Sequence, residues 1–235
     1  MGVLRSHRRQ VSGHPKVNRL LLKMATLAIL VMPVACNIVT PVAYILEGPP
    51  SNDAQFTLPD RKTVVFVDDR KNVLSRTQLR TAIGDKVAGD LMQQELVSET
   101  ITTRDAVAVA RRDENMDNPL PISEIGEKVG AEVVIYVRVT SFMIAEPGGN
   151  PIPNATAMVK VIDVTNRARL FPEDKENPGI SVASQMKEVS QDLYQSTTGR
   201  RQIEDKLADE LGNRIAKVFY KHEKVELGKG MGVRK

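Results

Sequence analysis

The chain has 235 residues, 41% of them hydrophobic, which is enough for one globular domain with a proper core and argues against a disordered chain. Aromatics are only 4% and tryptophan is absent, which argues against an aromatic platform for carbohydrate or single-stranded nucleic acid. The pI near 9.2 is not a nucleic-acid signal: residues 1–36 hold six of the 33 basic residues and none of the 29 acidic ones, leaving 27 against 29 in the body.

The six cations are Arg5, Arg8, Arg9, Lys16, Arg19 and Lys23. Residues 24–46 follow without a single charge and contain the only cysteine, Cys36. A basic head, an apolar run and a cysteine after Pro33-Val34-Ala35 resemble a bacterial lipoprotein signal, with 24–34 as apolar core and Cys36 as the lipid-attachment site. Pro33 stands where that pattern wants an aliphatic residue. An uncleaved signal anchor is the alternative, since roughly 20 apolar residues span a bilayer. A cleaved soluble form and a buried cytosolic helix are the remaining readings. The first two place the body outside the cytoplasm, tethered to a membrane. The expected organisation is a signal over 1–36, an extended tether or surface-lying peptide over 37–62, a domain over 63–222 and a flexible basic tail over 223–235.

Along the body, 63–67 is a continuous β-branched run and predicts a buried central strand. Ser75 and Gln78 have capping-box spacing. Leu79, Ile83, Val87 and Leu91 then make an apolar stripe on a helix over 77–95, with Gly84 and Gly89 expected to permit close packing on a sheet. A weak strand over 96–102, a helix over 105–112 and a loop over 115–121 follow. A short helix over 123–130 has Ser123 as cap and Gly130 as stop. The strand over 132–140 is the strongest in the chain. After a Pro/Gly-rich turn over 147–153, residues 154–164 alternate in the manner of a half-buried strand. Asp163 opens a hairpin turn, 168–171 pairs back, 172–179 is a charged loop, 180–189 is a last strand, and a helix occupies 201–221. The fold class is therefore α+β: a single mixed β-sheet in the order strand, helix, strand, helix, strand, strand, strand, helix, with the helices packed on it.

The stretch Ile125-Gly-Glu-Lys-Val-Gly-Ala-Glu-Val-Val-Ile-Tyr136 resembles the helix, Gly-Ala-acidic, strand passage of the periplasmic α/β domain found in the curli-secretion lipoprotein family and in the N-terminal domain of the Tol-system propeller protein. Val159-Lys-Val-Ile-Asp-Val-Thr-Asn166 resembles the hairpin of the same group. With Cys36, Gly48-Pro49-Pro50 and the ending Val218-Phe-Tyr-Lys-His222, residues 36–222 are similar to a bacterial family of uncharacterised small envelope lipoproteins. The resemblance implies an envelope module of assembly or interaction without catalytic residues. The curli family's pore-forming hairpin insertions are not evident.

The candidate chemistry is sparse. Asp68-Asp69-Arg70 follows the first strand, where sites cluster in open α/β sheets. An acid pair there is the one candidate for a metal- or phosphate-binding hydrolase, but the acceptor aspartate of a phosphoryl receiver and the Asp-x-Asp of phosphohydrolases are both absent, so a solvated turn is expected. Gly148-Gly149 lacks a phosphate-loop pattern. Of the three histidines, His7 and His14 lie in the head, and His222 is expected as a cation at the end of the last helix. Arg111-Arg112 and Arg200-Arg201 read as solvated charge or, less simply, as a patch for an acidic partner. No enzyme activity, cofactor, metal, small-molecule substrate or nucleic-acid partner is expected; the expected partners are the membrane and other envelope proteins.

Overall fold

The computed structural model of the protein describes residues 51–113, 119–146 and 149–224. The signal or anchor segment with Cys36, most of the expected tether and tail, and parts of the loops over 115–121 and 147–153 lie outside these residues.

The described elements are β1 (Ser51–Asn52), β2 (Thr63–Asp68), α1 (Gln78–Gln93), β3 (Thr100–Ile101), α2 (Thr103–Asp113), α3 (Ile122–Val129), β4 (Val133–Met143), β5 (Asn154–Asp163), β6 (Ala168–Phe171), β7 (Ile180–Gln185), α4 (Gln191–Gln195), α5 (Thr197–Ala216) and β8 (His222–Glu223). The fold is α+β with one mixed six-stranded sheet in the order β3-β2-β4-β5-β6, β7 also pairing with β5. β2 is parallel to β3 and β4, and the remaining pairs are antiparallel.

Strand periodicity sorts the core into two layers. Val65 and Val67 point to one side, where α1 and α5 supply Leu79, Ile83, Leu207 and Leu211. Val64 and Phe66 point to the other, where α2 and α3 supply Ala106, Val109 and Ile125. Because both faces of β2 are covered, all six of its residues are buried, the apolar Val64, Val65, Phe66 and Val67 together with the polar Thr63 and Asp68 at its ends. β5 alternates residue by residue between buried and half-buried, with Ala155, Ala157, Val159 and Val161 in the α1/α5 layer.

Several boundaries differ from the sequence expectation for local reasons. The Ser75 capping box does not form: α1 starts at Gln78 with Thr77 as cap and no side-chain cap bond. The N–H groups of Leu79 and Arg80 donate instead to the carbonyls of Arg76 and Thr77. Gly84 packs against Thr103 at the start of α2, rather than on the sheet, and a Cβ on Gly89 would meet open space. The expected strand over 96–102 shrinks to β3, because the Ser98 N–H is taken by the Asp60 carboxylate. Pro121, not Ser123, precedes α3, and Gly130 ends it with φ of 75°, the left-handed turn that glycine adopts without penalty. The last strand stops at Gln185. The last helix begins at Thr197, capped by Ser196 Oγ accepting from the Gly199 N–H, and ends at Ala216. Val218 and Phe219 are buried all the same.

Residues 51–62 lie on this domain. β1 pairs with β8, the Gln55 N–H donates to the Val218 carbonyl at 2.8 Å, the Phe56 ring stacks on Phe171 at 5.1 Å, and Leu58 is buried. Among the described residues no helix is long and apolar enough to cross a membrane.

Candidate functional site

β2 delivers Asp68 and Asp69 to its carboxyl end, the place where open α/β sheets bind ligands. The expected solvated turn is not there: each residue is only 4% exposed. Strand parity puts Asp68 on the side of Phe66, beside Tyr136 of the neighbouring β4. The Tyr136 hydroxyl donates to Asp68 Oδ2 at 2.5 Å, and the Arg70 N–H donates to Oδ1 at 3.0 Å. Burial first, and the bonded carboxylate second, hold the Tyr136 phenol well above the usual tyrosine range, so it stays a neutral donor.

Asp69 turns the other way and closes the loop that leads into α1. Its Oδ1 accepts from the Val73 N–H at 2.7 Å and its Oδ2 from the Leu74 N–H at 3.2 Å. Arg80 of α1 completes the unit: Nη2 donates to the Asp69 carbonyl at 2.8 Å and lies 3.8 Å from Oδ2. Every carboxylate oxygen of the pair thus already faces an internal donor. Among the described residues no group of three or more His, Cys, Asp or Glu side chains converges as a metal-ligating cluster. The arrangement acts chemically as a clamp that ties β2 to β4 and fixes the entry to α1.

Two other acids are used in the same manner. Asp90 of α1 accepts from Lys86 Nζ at 2.8 Å and from Asn213 Nδ2 of α5 at 2.9 Å, stitching the two helices together. Asp163 at the end of β5 accepts from the Asn166 N–H at 2.9 Å, from Asn166 Nδ2 at 3.1 Å and from Arg61 Nη2 at 2.9 Å. The Asn166 N–H above all, with Arg61 adding to it and burial opposing, keeps the Asp163 carboxyl below its ordinary value. Since the folded-state pKa is depressed, this contribution is complete above the unfolded value of about 3.9 and is lost as pH falls through the lower folded value. Asp163→Asn is expected to flatten the acid limb of the stability profile; urea midpoints at pH 7 and at successively lower pH check this, and parallel acid limbs in the two proteins would contradict it.

His222 is not a helix-end cation. α5 stops six residues earlier, and His222 sits in β8, with Nδ1 3.1 Å from the Tyr220 carbonyl and Nε2 3.4 Å from Asn52 Nδ2. Arg111, Arg200 and Arg201 are exposed, as expected of surface charge. Cys36 and Gly148 lie outside the described residues. The sequence reading found the acid pair but not its partners, Tyr136 and Arg80, which only the fold brings near.

These features define an α+β protein with helices on both faces of a mixed sheet and a buried, internally bonded acid pair at a strand end. No protein-family model matches the sequence, and comparison with curated proteins finds no match. Among solved structures it is similar to a hypothetical protein from Chlamydia trachomatis, with 13% identity, 66% of this chain and 98% of that one covered, and a TM-score of 0.36. It is also similar to the PelC dodecamer from Paraburkholderia phytofirmans, with 13% identity, 74% and 94% coverage, and a TM-score of 0.36. Lipoprotein GNA1162 from Neisseria meningitidis shows 11% identity, 60% and 94% coverage, and a TM-score of 0.36. At these scores the likeness carries no functional information.

Proposed function

We propose that the protein is a membrane-tethered bacterial envelope lipoprotein whose domain serves, without catalysis of its own, as an interaction or accessory module of an envelope assembly or transport complex. One observation carries this reading: the lone Cys36 stands in an uncharged run behind a head of six cations. That arrangement gives the cysteine and the basic excess a use that needs no active site. The sequence resemblance to the curli and Tol domain supports the same conclusion. So does the commitment of Asp68 and Asp69 to internal donors, which weighs against the competing reading, a metal- or phosphate-binding hydrolase built on that pair.

Metabolic labelling with a radioactive fatty acid tests the tether. The wild-type chain is expected to carry label and Cys36→Ser to carry none; an unlabelled wild type discards the lipoprotein. Magnesium titration of the full-length protein tests the competitor. Saturable binding that Asp68→Ala abolishes would replace the interaction module with the hydrolase.

A further inference from the structure

α1 and α2 lie on opposite faces of the sheet, and between the N-terminal half of α1 and the outer side of α2 runs a groove of about 400 Å³. Three arginines line it, Arg80, Arg104 and Arg111, and no acidic residue does. Arg104 and Arg111 are seven apart on α2, so they stand on one face of that helix, two turns from each other. Among the described residues neither has an ion-pair partner. Arg80 enters from α1 and is held in place by its bond to the Asp69 carbonyl at the end of β2. Its Nε is buried with no acceptor. Thr77 and Thr81 add hydroxyls from α1, and the Thr77 hydroxyl is not spent on capping its own helix.

Arg80 already has Asp69 Oδ2 at 3.8 Å on its far side, but Arg104 and Arg111 stand along the same small groove with no carboxylate among its lining residues, so an anion there would offset their repulsion. Guanidinium is the side chain whose planar fork matches a phosphate with two parallel hydrogen bonds. The dipole at the start of the 16-residue α1 favours the same charge. The Arg80 bond to the Asp69 carbonyl links the groove to the carboxyl end of β2. We propose that this groove binds a phosphate group, carried by a small soluble anion or by a phospholipid headgroup.

The test uses the full-length protein in neutral maltoside micelles. One arm titrates pyrophosphate by calorimetry. The other titrates micelles doped with phosphatidylglycerol, with phosphatidylcholine as the uncharged-headgroup comparison. Saturable binding in the first arm assigns a soluble phosphate; saturation only with phosphatidylglycerol assigns a headgroup. In either case the double variant Arg104→Gln/Arg111→Gln is expected to weaken binding by about tenfold or more, a loss of roughly 1.4 kcal/mol or greater. Lys175→Gln/Lys187→Gln removes the same charge from exposed positions before and after β7, on the β5 side of the sheet away from β3, and is expected to stay within about twofold, because distant exposed charges are screened. Ala108→Glu, at an exposed position in the groove, is expected to match the first double variant without touching an arginine. Absence of saturable binding in both arms overturns the proposal. Equal losses in the two double variants do so as well, since they would reduce the effect to net charge. The pyrophosphate arm does not depend on lipid at Cys36, so its outcome stands apart from the labelling result.

Discussion

Leu211→Ala is expected to lower the unfolding free energy by about 3–5 kcal/mol, the upper part of the range for a buried leucine reduced to alanine. Leu211 is fully buried on α5, in the layer that also holds Leu79, Ile83 and Leu207. The cost of such a truncation depends on how far the surroundings can close over the cavity. Here they have little room. At the next residue, Gly212, a Cβ would come within 2.8 Å of Lys86 Cβ and 3.0 Å of the Ile83 carbonyl, so α5 already sits against the α1 backbone. The Asp90–Asn213 hydrogen bond holds the same two helices in register. On the other side stands the sheet, whose valines have few rotamers with which to fill a gap. Urea denaturation is expected to show a lower midpoint with an unchanged slope. Glu210→Ala, exposed one position away, is expected to stay within about 0.5 kcal/mol. A loss below about 1 kcal/mol for Leu211→Ala would mean that α5 is not packed as described.

How much of this fold the sequence discloses depends on how local each cause is. β2 and β4 are legible because a run such as Thr-Val-Val-Phe-Val can satisfy its side chains only when covered on both faces. β5 is legible through strict alternation, and α1 through a stripe every four residues. The start of α5 was hidden although its cap, Ser196, is plain in the chain: Thr197, Thr198 and Gly199 are poor helix formers and mask the first turn. The pairing of β1 with β8 joins two-residue strands 170 positions apart, as in the Asn52–His222 contact, and leaves no periodic trace. β3 is short because a side chain, Asp60, intervenes in the backbone bonding, and no window of sequence reveals that. The acid pair is an intermediate case. Its position at a strand end is legible, and so is the fact that Asp68 shares a face with Phe66. Its burial is not, because Tyr136 lies 68 residues from Asp68 and Arg80 reaches Asp69 only once α1 has packed on the sheet. The α1–α2 groove is hidden for the same reason: Arg80, Arg104 and Arg111 are three unremarkable surface cations until two helices bring them to one cavity.

Asp69→Ala is expected to cost about 2–4 kcal/mol, and the sign of the gentler change Asp69→Asn decides what the acid pair is for. The alanine variant leaves the N–H groups of Val73 and Leu74 without the acceptors they have at 2.7 and 3.2 Å, and the Leu74 side of this loop is buried. A buried donor left unsatisfied costs about 1–3 kcal/mol. The Arg80 guanidinium also loses the charge at 3.8 Å that offsets part of its desolvation. Asparagine keeps one oxygen and removes the charge, so about half of the loss is expected, roughly 1–2 kcal/mol on the same scale. A pair of carboxylates kept for a metal behaves in the opposite way. Without the ion the two charges repel, and neutralising one of them relieves strain held for function, so the metal-free protein gains stability. Urea midpoints of wild type, Asp69→Ala and Asp69→Asn in excess chelator separate the two cases. Destabilisation in the order wild type, asparagine, alanine identifies a structural clamp. A more stable asparagine variant would make Asp68 and Asp69 a ligand pair waiting for a cation, and would return the hydrolase to first place. The measurement reads the folded protein directly and requires no knowledge of substrate or partner.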